Sequence, residues 1–130
     1  MRKGGAVTIE TRKRFGPSPG VFASTGAIPE SGTFLNSSVI LEGADASDLI
    51  TAYVTQRFDG ALGSFTLRAA ITESATENPH VLSEAGTWAI IGGTGAYEAL
   101  RGRGRITGTA NDYVDLITRT YSGTVKGTAP

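Results

Sequence analysis

The sequence contains no cysteine and only one histidine, His80. Without cysteine, the chain cannot form disulfides, thiolate nucleophiles or cysteine-ligated metal sites. A single imidazole also removes most zinc chemistry, which depends on clusters of histidine and cysteine. Because His80 falls in a loop-like segment, we expect it to be exposed to solvent. The sequence therefore predicts no metal site and no cofactor.

Long apolar runs and an excess of one charge are also missing. No segment approaches the ~20 apolar residues of a membrane-spanning helix, and the basic start Met1-Arg2-Lys3 is followed by glycine rather than by an apolar stretch. The chain carries 12 basic and 12 acidic side chains, so it has no strong general attraction for phosphate. We therefore expect a cytoplasmic protein with neither a membrane nor a nucleic-acid partner.

Glycine and alternating patterns are what the sequence has in abundance. The 130 residues include 18 glycines, about twice the usual share, and they follow no triplet period. Apolar and polar residues alternate along most segments, whereas helical periodicity is hard to find. This composition predicts one all-β domain over residues 1–130, and the pattern is clearest after residue 32.

The strongest local signal is a hairpin between Leu49 and Glu73. Two alternating runs are joined there by Phe58-Asp59-Gly60-Ala61, and Asp-Gly favours a tight turn between strands. Residues 74–83 are expected to form the longest loop of this half. Seven clear strands and a shorter one at residues 21–24, expected at an edge, leave no room for crossover helices. We predict an eight-stranded antiparallel β-barrel, with a two-sheet sandwich as the alternative.

A glycine-rich stretch follows one apolar strand. The run Ile91-Gly92-Gly93-Thr94-Gly95 is similar to a nucleotide-binding loop, but such a loop requires a helix directly after it. Further glycines follow instead, so the stretch is interpreted as a tight corner with one helical turn over residues 96–100. Gly95 and Gly102 are expected where a side chain is not tolerated.

Three segments carry a family resemblance: Gly86-Thr87-Trp88, residues 92–97 and residues 100–104. They resemble the glycine-patterned region of the allene oxide cyclase and dirigent barrel superfamily and of related uncharacterised bacterial barrels. The likeness covers residues 49–125. It implies a calycin-like eight-stranded barrel that forms a homo-oligomer, a dimer or a trimer. Members of the superfamily cyclise apolar intermediates or steer radical coupling, but none of their catalytic residues can be matched here one by one.

Polar residues on otherwise apolar strand faces are the candidate site residues. Gln56 lies on the apolar face of its strand, and Arg119 and Tyr121 lie on the same strand face as Ile117 and Val125. Gln56, Arg119 and Tyr121 are therefore predicted to point into the barrel. There a guanidinium would pair with a carboxylate, enolate or carbonyl of a ligand, or with an acid of the protein itself. Arg119 and Tyr121 are the predicted catalytic residues. The predicted ligand-binding residues are Gln56, Tyr53, Phe65, Trp88 and Tyr97; core packing or a subunit interface is the alternative for the aromatic ones.

The functional hypothesis follows from this interior. We expect a barrel that binds an apolar small molecule and acts on it as a cofactor-independent cyclase or isomerase. The alternative is a non-catalytic barrel that binds a ligand or self-associates. An open cavity would favour the first, whereas an interior filled by Phe65, Leu67 and Trp88 would favour the second. Arg101, Arg103 and Arg105 share a strand face, interpreted as a solvated stripe or a subunit interface.

Overall fold

A computed structural model describes residues 3–43 and 50–128, and its strands close into one antiparallel barrel in chain order. Each strand pairs with its neighbours in sequence, and the last strand returns to the first. The strands are β1 (Lys3–Lys13), β2 (Gly20–Gly26), β3 (Ser31–Gly43), β4 (Ile50–Gly60), β5 (Gly63–Ala75), β6 (Val81–Gly93), β7 (Arg101–Asn111) and β8 (Leu116–Thr128). The predicted eight-stranded barrel is confirmed, and the sandwich alternative is wrong because the sheet closes on itself. The described chain contains no apolar helix of membrane-spanning length.

The β4–β5 hairpin is present, but its turn lies two residues later than predicted. Asp59 and Gly60 belong to β4, and the turn consists of Ala61 and Leu62. The carboxylate of Glu30, from the β2–β3 connection, accepts hydrogen bonds from both turn N–H groups, at 3.0 and 3.1 Å. A contact from a distant part of the chain thus holds the turn, which the local Asp-Gly signal could not indicate. The start of the predicted hairpin, Leu49, lies outside the described residues.

The loop predicted over residues 74–83 is also shorter than expected. β5 continues to Ala75 and β6 begins at Val81, so only residues 76–80 connect them. His80 lies in this connection and is exposed, with its Nδ1 atom 2.9 Å from Oδ1 of Asp112 in the β7–β8 loop. The longer strands bring Glu73 directly opposite Glu84.

The two ends of the barrel differ. The end closed by residues 27–30, the 61–62 turn and a 3-10 turn at Gly95–Tyr97 is called here the capped end. Two apolar residues beneath it, Ile28 and Leu100, are fully buried. The opposite end, called the loop end, is formed by the connections at residues 14–19, 76–80 and 112–115; the β3–β4 connection lies outside the described residues.

Aromatic side chains fill the half of the interior next to the capped end. Phe58 stacks between Phe34 and Phe65, with ring centroids 5.1 and 5.0 Å apart, and Phe22 meets Phe58 edge-on at 5.1 Å. Burying one such ring contributes about 1.5–3 kcal/mol. This half of the barrel is therefore a packed core.

The predicted corner at Gly95 is confirmed, while that at Gly102 is not. Gly95 has φ +59°, and a Cβ atom there would lie 2.6 Å from the carbonyl oxygen of Leu62. Gly102 is an interior residue of β7 without a positive φ. The expectation that a side chain is not tolerated at Gly102 is nevertheless confirmed, because a Cβ atom there would lie 2.5 Å from Cγ1 of Val125 and 2.6 Å from the carbonyl oxygen of Thr124 on the neighbouring strand.

β2 is paired on both sides and is therefore not the edge strand that its short pattern predicts. It is shorter than β3, however, and its pairing with β3 extends only to Phe34. From Leu35 to Gly43, β3 pairs with β4 alone. Within the described ranges, no backbone hydrogen bond reaches the other side of this segment, which we call the free edge of β3.

Candidate functional site

A row of directly paired residues crosses the interior near the loop end. In the order β5, β6, β7, β8, its members are Glu73, Glu84, Gly108 and Arg119. Directly paired residues on neighbouring antiparallel strands face the same side of the sheet. Since Glu84 is buried inside the barrel, the row brings two carboxyl groups and one guanidinium together there.

Arg119 and Glu84 form a buried two-pronged ion pair. Nε of Arg119 donates to Oε1 of Glu84 at 2.8 Å and Nη2 donates to Oε2 at 2.9 Å, and the side chains are 10% and 1% exposed. Gly108 lies between them, and a Cβ atom there would come within 2.9 Å of Cγ of Arg119. Burial alone would lower the pKa of Arg119, but its interactions with Glu84 and Tyr121 together outweigh burial and raise that pKa. The pair is therefore a fixed, charged unit.

Glu73 has a different environment from Glu84. It is half-buried, and none of the ion pairs formed by the described residues includes it. Burial raises the pKa of Glu73 to about 7, aided by hydrogen bonding to Glu84 and by the charge of that residue, while Arg119 opposes the shift. A carboxyl group with such a pKa can both donate and accept a proton near neutral pH.

Lys13 closes one side of the loop end. Its side chain is buried, and its Nζ atom donates to the carbonyl oxygens of Arg14, at 2.8 Å, and of Gly16. Burial lowers the pKa of Lys13, and the charge of Arg119 lowers it further. The lysine thus ties the β1–β2 loop to the barrel and adds a second cation near the row.

A second polar group lies deeper in the barrel. The hydroxyl of Tyr121 donates to Oε1 of Gln56 at 2.6 Å, and Nε2 of Gln56 donates to Oδ1 of Asn36 at 3.0 Å. Tyr121 and Gln56 are completely buried, and burial raises the pKa of Tyr121. Protein groups satisfy these side chains, so the network holds the core in register.

The predicted catalytic residues point inside, as the alternation of β8 requires. Their polar ends meet protein groups: Glu84 for Arg119 and Gln56 for Tyr121. Phe65, Leu67 and Trp88 fill the core, which is the outcome that favours a non-catalytic barrel over one with an open central cavity. The indole N–H of Trp88 donates to the carbonyl oxygen of Arg105 at 3.2 Å. The structure thus joins the predicted Gln56 and Tyr121, and brings Arg119 near them.

Two of the predicted ligand-binding residues lie away from this group. Tyr97 is buried beneath the capped end, where its hydroxyl donates to Oε2 of Glu30 at 2.9 Å. Tyr53 is 44% exposed and lies on the outer face of β4, because its neighbours Ala52 and Val54 occupy the inner face. A role of Tyr53 in lining the interior is therefore wrong.

Sequence reasoning missed both carboxyl groups. Glu73 follows Phe65, Leu67, Ala69 and Ile71 in phase on one face of β5, so the alternation contained a signal for it. Glu84 comes directly after the predicted loop at residues 74–83, so it was not assigned to the face of any strand. Within residues 3–43 and 50–128, no cluster of three or more His, Cys, Asp or Glu side chains is placed to hold a metal ion.

Comparisons with known proteins give no identification. No family model matches the chain, and neither a curated protein nor a solved structure matches it. A barrel shape does not by itself identify the allene oxide cyclase superfamily, because one fold hosts many unrelated functions. Inference about the function therefore rests on the geometry of the site.

Proposed function

We propose that the loop end of the barrel, beyond the core filled by Phe65, Leu67 and Trp88, binds an apolar small molecule and moves a proton on it, as a cofactor-independent isomerase or cyclase. One observation carries the proposal: Glu73 lies directly opposite Glu84 inside the barrel, and only Glu84 is neutralised by an ion pair. Two facing carboxyl groups with different environments are a recurring arrangement in acid–base catalysis, since their pKa values are pushed apart.

Apolar side chains next to Glu73 supply the binding surface. Val39 and Leu41 pair with inward-facing residues of β4, and Ile50 pairs with Glu73 itself. All three therefore face the inside of the sheet, yet they are 52%, 65% and 43% exposed. An apolar ligand that covers them would gain about 25 cal/mol per Å² of buried apolar surface.

The proposed chemistry assigns a role to each charged group. The carboxylate of Glu73 takes a proton from a carbon next to a carbonyl group, and the resulting carboxylic acid returns it to another carbon of the same molecule. Because the proton that leaves one carbon returns to another, the substrate is neither oxidised nor reduced and no cofactor is needed. N–H groups of Arg119 that are not directed at Glu84 stabilise the enolate oxygen. Tyr121, whose hydroxyl is hydrogen-bonded to Gln56 deeper in the barrel, takes no part in this proton transfer.

The test uses a β,γ-unsaturated cyclic ketone, whose conversion to the conjugated isomer is followed by ultraviolet absorbance. We expect Glu73→Gln to remove the activity, because the amide cannot carry the proton, while Glu10→Gln on the outer face of β1 leaves it unchanged. The proposal also requires the rate to rise with an apparent pKa near that of Glu73. Equal rates for wild type and Glu73→Gln would overturn it.

A second candidate function, a self-associating structural barrel, is favoured by the free edge of β3. This edge offers backbone donors and acceptors beside the exposed apolar residues Val39, Ile40 and Leu41. Exposed apolar edge strands are ready partners for another chain. Antiparallel pairing of two copies centred on Ile40 would set Glu42 opposite Ser38 of the second copy, so no like charges would face each other.

Sedimentation tests this second candidate. We expect a dimer at micromolar concentration for the wild type and a monomer for Ile40→Lys, since two lysines would then face each other at the centre of the interface. Thr8→Lys, on a β1 that is paired on both sides, is the matched control and should remain a dimer. A wild-type monomer would rule this interface out.

A further inference from the structure

The outer face of the barrel carries a groove that the proposed site does not use. It has a volume of about 830 Å³ and runs across the outside of β3 to β8. Its floor is low because it contains Ala70, Thr87 and Ala89. Ile40 and Tyr53, both exposed, form an apolar wall at one side.

Three arginines line the other part of this groove. Arg68 on β5 and Arg103 on β7 both pair with Ala89 on β6, so their Cα atoms are separated by two strand spacings, about 10 Å. Arg105 is two residues from Arg103 on the same face, about 7 Å further along the strand. The small Ala89 side chain between them leaves space for guanidinium groups to converge above it.

No acid neutralises these arginines within the described ranges. The ion pairs formed there by carboxylates are to Arg14, Arg57, His80 and Arg119. Arg68, Arg103 and Arg105 are all exposed. Three uncompensated positive charges on one face create a local positive potential that attracts anions, although the whole chain has no net charge.

The structure also changes the interpretation of the arginine stripe on β7. Arg101 donates from Nη1 to the carbonyl oxygen of Leu100 at 2.6 Å and does not line the groove. Arg68, from a different strand, takes its place beside Arg103 and Arg105. The cluster is thus a compact triangle over the groove floor and not a line along one strand.

We propose that this groove binds a small organic anion. The carboxylate, sulfonate or phosphate group lies above Ala89 between Arg68, Arg103 and Arg105, which can donate paired N–H groups to such oxygens. The apolar body of the ligand lies against Tyr53 and Ile40. The site is on the opposite face of the sheet from Glu73, so it is independent of the proposed proton transfer.

The probe is anilinonaphthalene sulfonate, an apolar aromatic anion whose fluorescence rises on binding. We expect Arg68→Gln and Arg103→Gln each to weaken its binding about tenfold, the loss typical of one charge-assisted hydrogen bond. Tyr53→Ala should weaken it by removing the apolar wall. Arg12→Gln, on the outer face of β1, is the matched control and should bind like wild type.

Further measurements distinguish binding of the dye in this groove from binding elsewhere on the protein. The neutral dye Nile red should bind equally to wild type and Arg103→Gln, because it lacks the anionic group. Unchanged sulfonate affinity in both arginine variants, with a loss in Leu41→Ser, would overturn the proposal and move the dye to the loop end. Displacement of the dye by a single-stranded oligonucleotide at lower concentration than by naphthalene sulfonate would also overturn it, in favour of a nucleic-acid site. A change of sedimentation in Arg103→Gln without a change in dye affinity would make the groove a subunit contact instead.

Discussion

Arg119 on β8 reaches over Gly108 on β7 to hold both carboxylate oxygens of Glu84 on β6, at 2.8 and 2.9 Å. The ion pair therefore links three strands from inside the barrel. It also leaves Glu73 as the carboxyl group of the row without an ion-pair partner among the described residues. The Arg119–Glu84 ion pair thus both links the strands and leaves Glu73, within the described part of the chain, free of an ion-pair partner for the proposed proton transfer.

Replacement of Arg119 by methionine should leave the buried Glu84 carboxylate without an ion-pair partner. We expect Arg119→Met to lower the free energy of unfolding at neutral pH by about 3–5 kcal/mol, as for other broken buried ion pairs. The double variant Arg119→Met/Glu84→Met should recover most of this loss, since no unpaired charge remains. Urea denaturation measures both, with the exposed Arg12→Met as control. A loss below about 1 kcal/mol would mean that the pair is not buried in solution.

The pH dependence of stability should report on Glu73. The pKa of about 7 that Glu73 has in the folded barrel lies above its ordinary value of 4.5, so its contribution to stability is fully present below pH 4.5 and is lost as the pH rises through 7. Glu73→Gln should therefore match wild type at low pH and be more stable than wild type above neutrality. Solvent reaches this half-buried group, so we expect a gain of only about 1 kcal/mol.

Thermal melting at several pH values measures this difference, and Glu10→Gln on the outer face is the control. A Glu73→Gln variant that is less stable than wild type above neutrality would show that the carboxylate is stabilised in the folded barrel. That outcome would also remove the basis for its proposed role as a proton carrier.

The capped end depends on the hydrogen bond from Tyr97 to Glu30. Burial alone would raise the pKa of Glu30, but the Tyr97 hydroxyl and backbone N–H groups outweigh it and hold that pKa below its usual value. Glu30 therefore contributes stability above its unfolded pKa, and this is lost as the pH falls through the lower folded pKa. Tyr97→Phe should cost about 1–2 kcal/mol at neutral pH, and less in acid. Chemical denaturation at two pH values checks this, with the exposed Tyr113→Phe as control.

The corner at Gly95 provides a backbone test. Gly95→Ala should destabilise the barrel by at least about 1 kcal/mol, because φ is +59° and the Leu62 carbonyl occupies the space of the new methyl group. Gly92→Ala is the matched control: it has no positive φ, and nothing lies within 4 Å of its added Cβ. Equal melting temperatures for the two variants would show that the corner adapts.

Local pattern was sufficient to predict the class of fold and the direction of several side chains. Alternation alone places Gln56, Arg119 and Tyr121 on inner faces, because neighbouring residues of a strand point to opposite sides. Glycine spacing likewise predicted the corner at Gly95. These features depend only on residues close together in sequence.

Only the tertiary structure decided which partners these side chains meet. Arg119 pairs with a residue 35 positions away, and Glu30 caps a turn 31 and 32 positions away. Such contacts depend on the register between strands, and bulges shift that register in β3 and between β5 and β6. A bulge reverses which residues face inward beyond it, so Val39 and Leu41 turn to the inside while Ile40 turns out. The sequence by itself determined an alternating all-β chain with polar residues inside; barrel closure and strand register, which are long-range, decided that these residues form a Glu73–Glu84–Arg119 row.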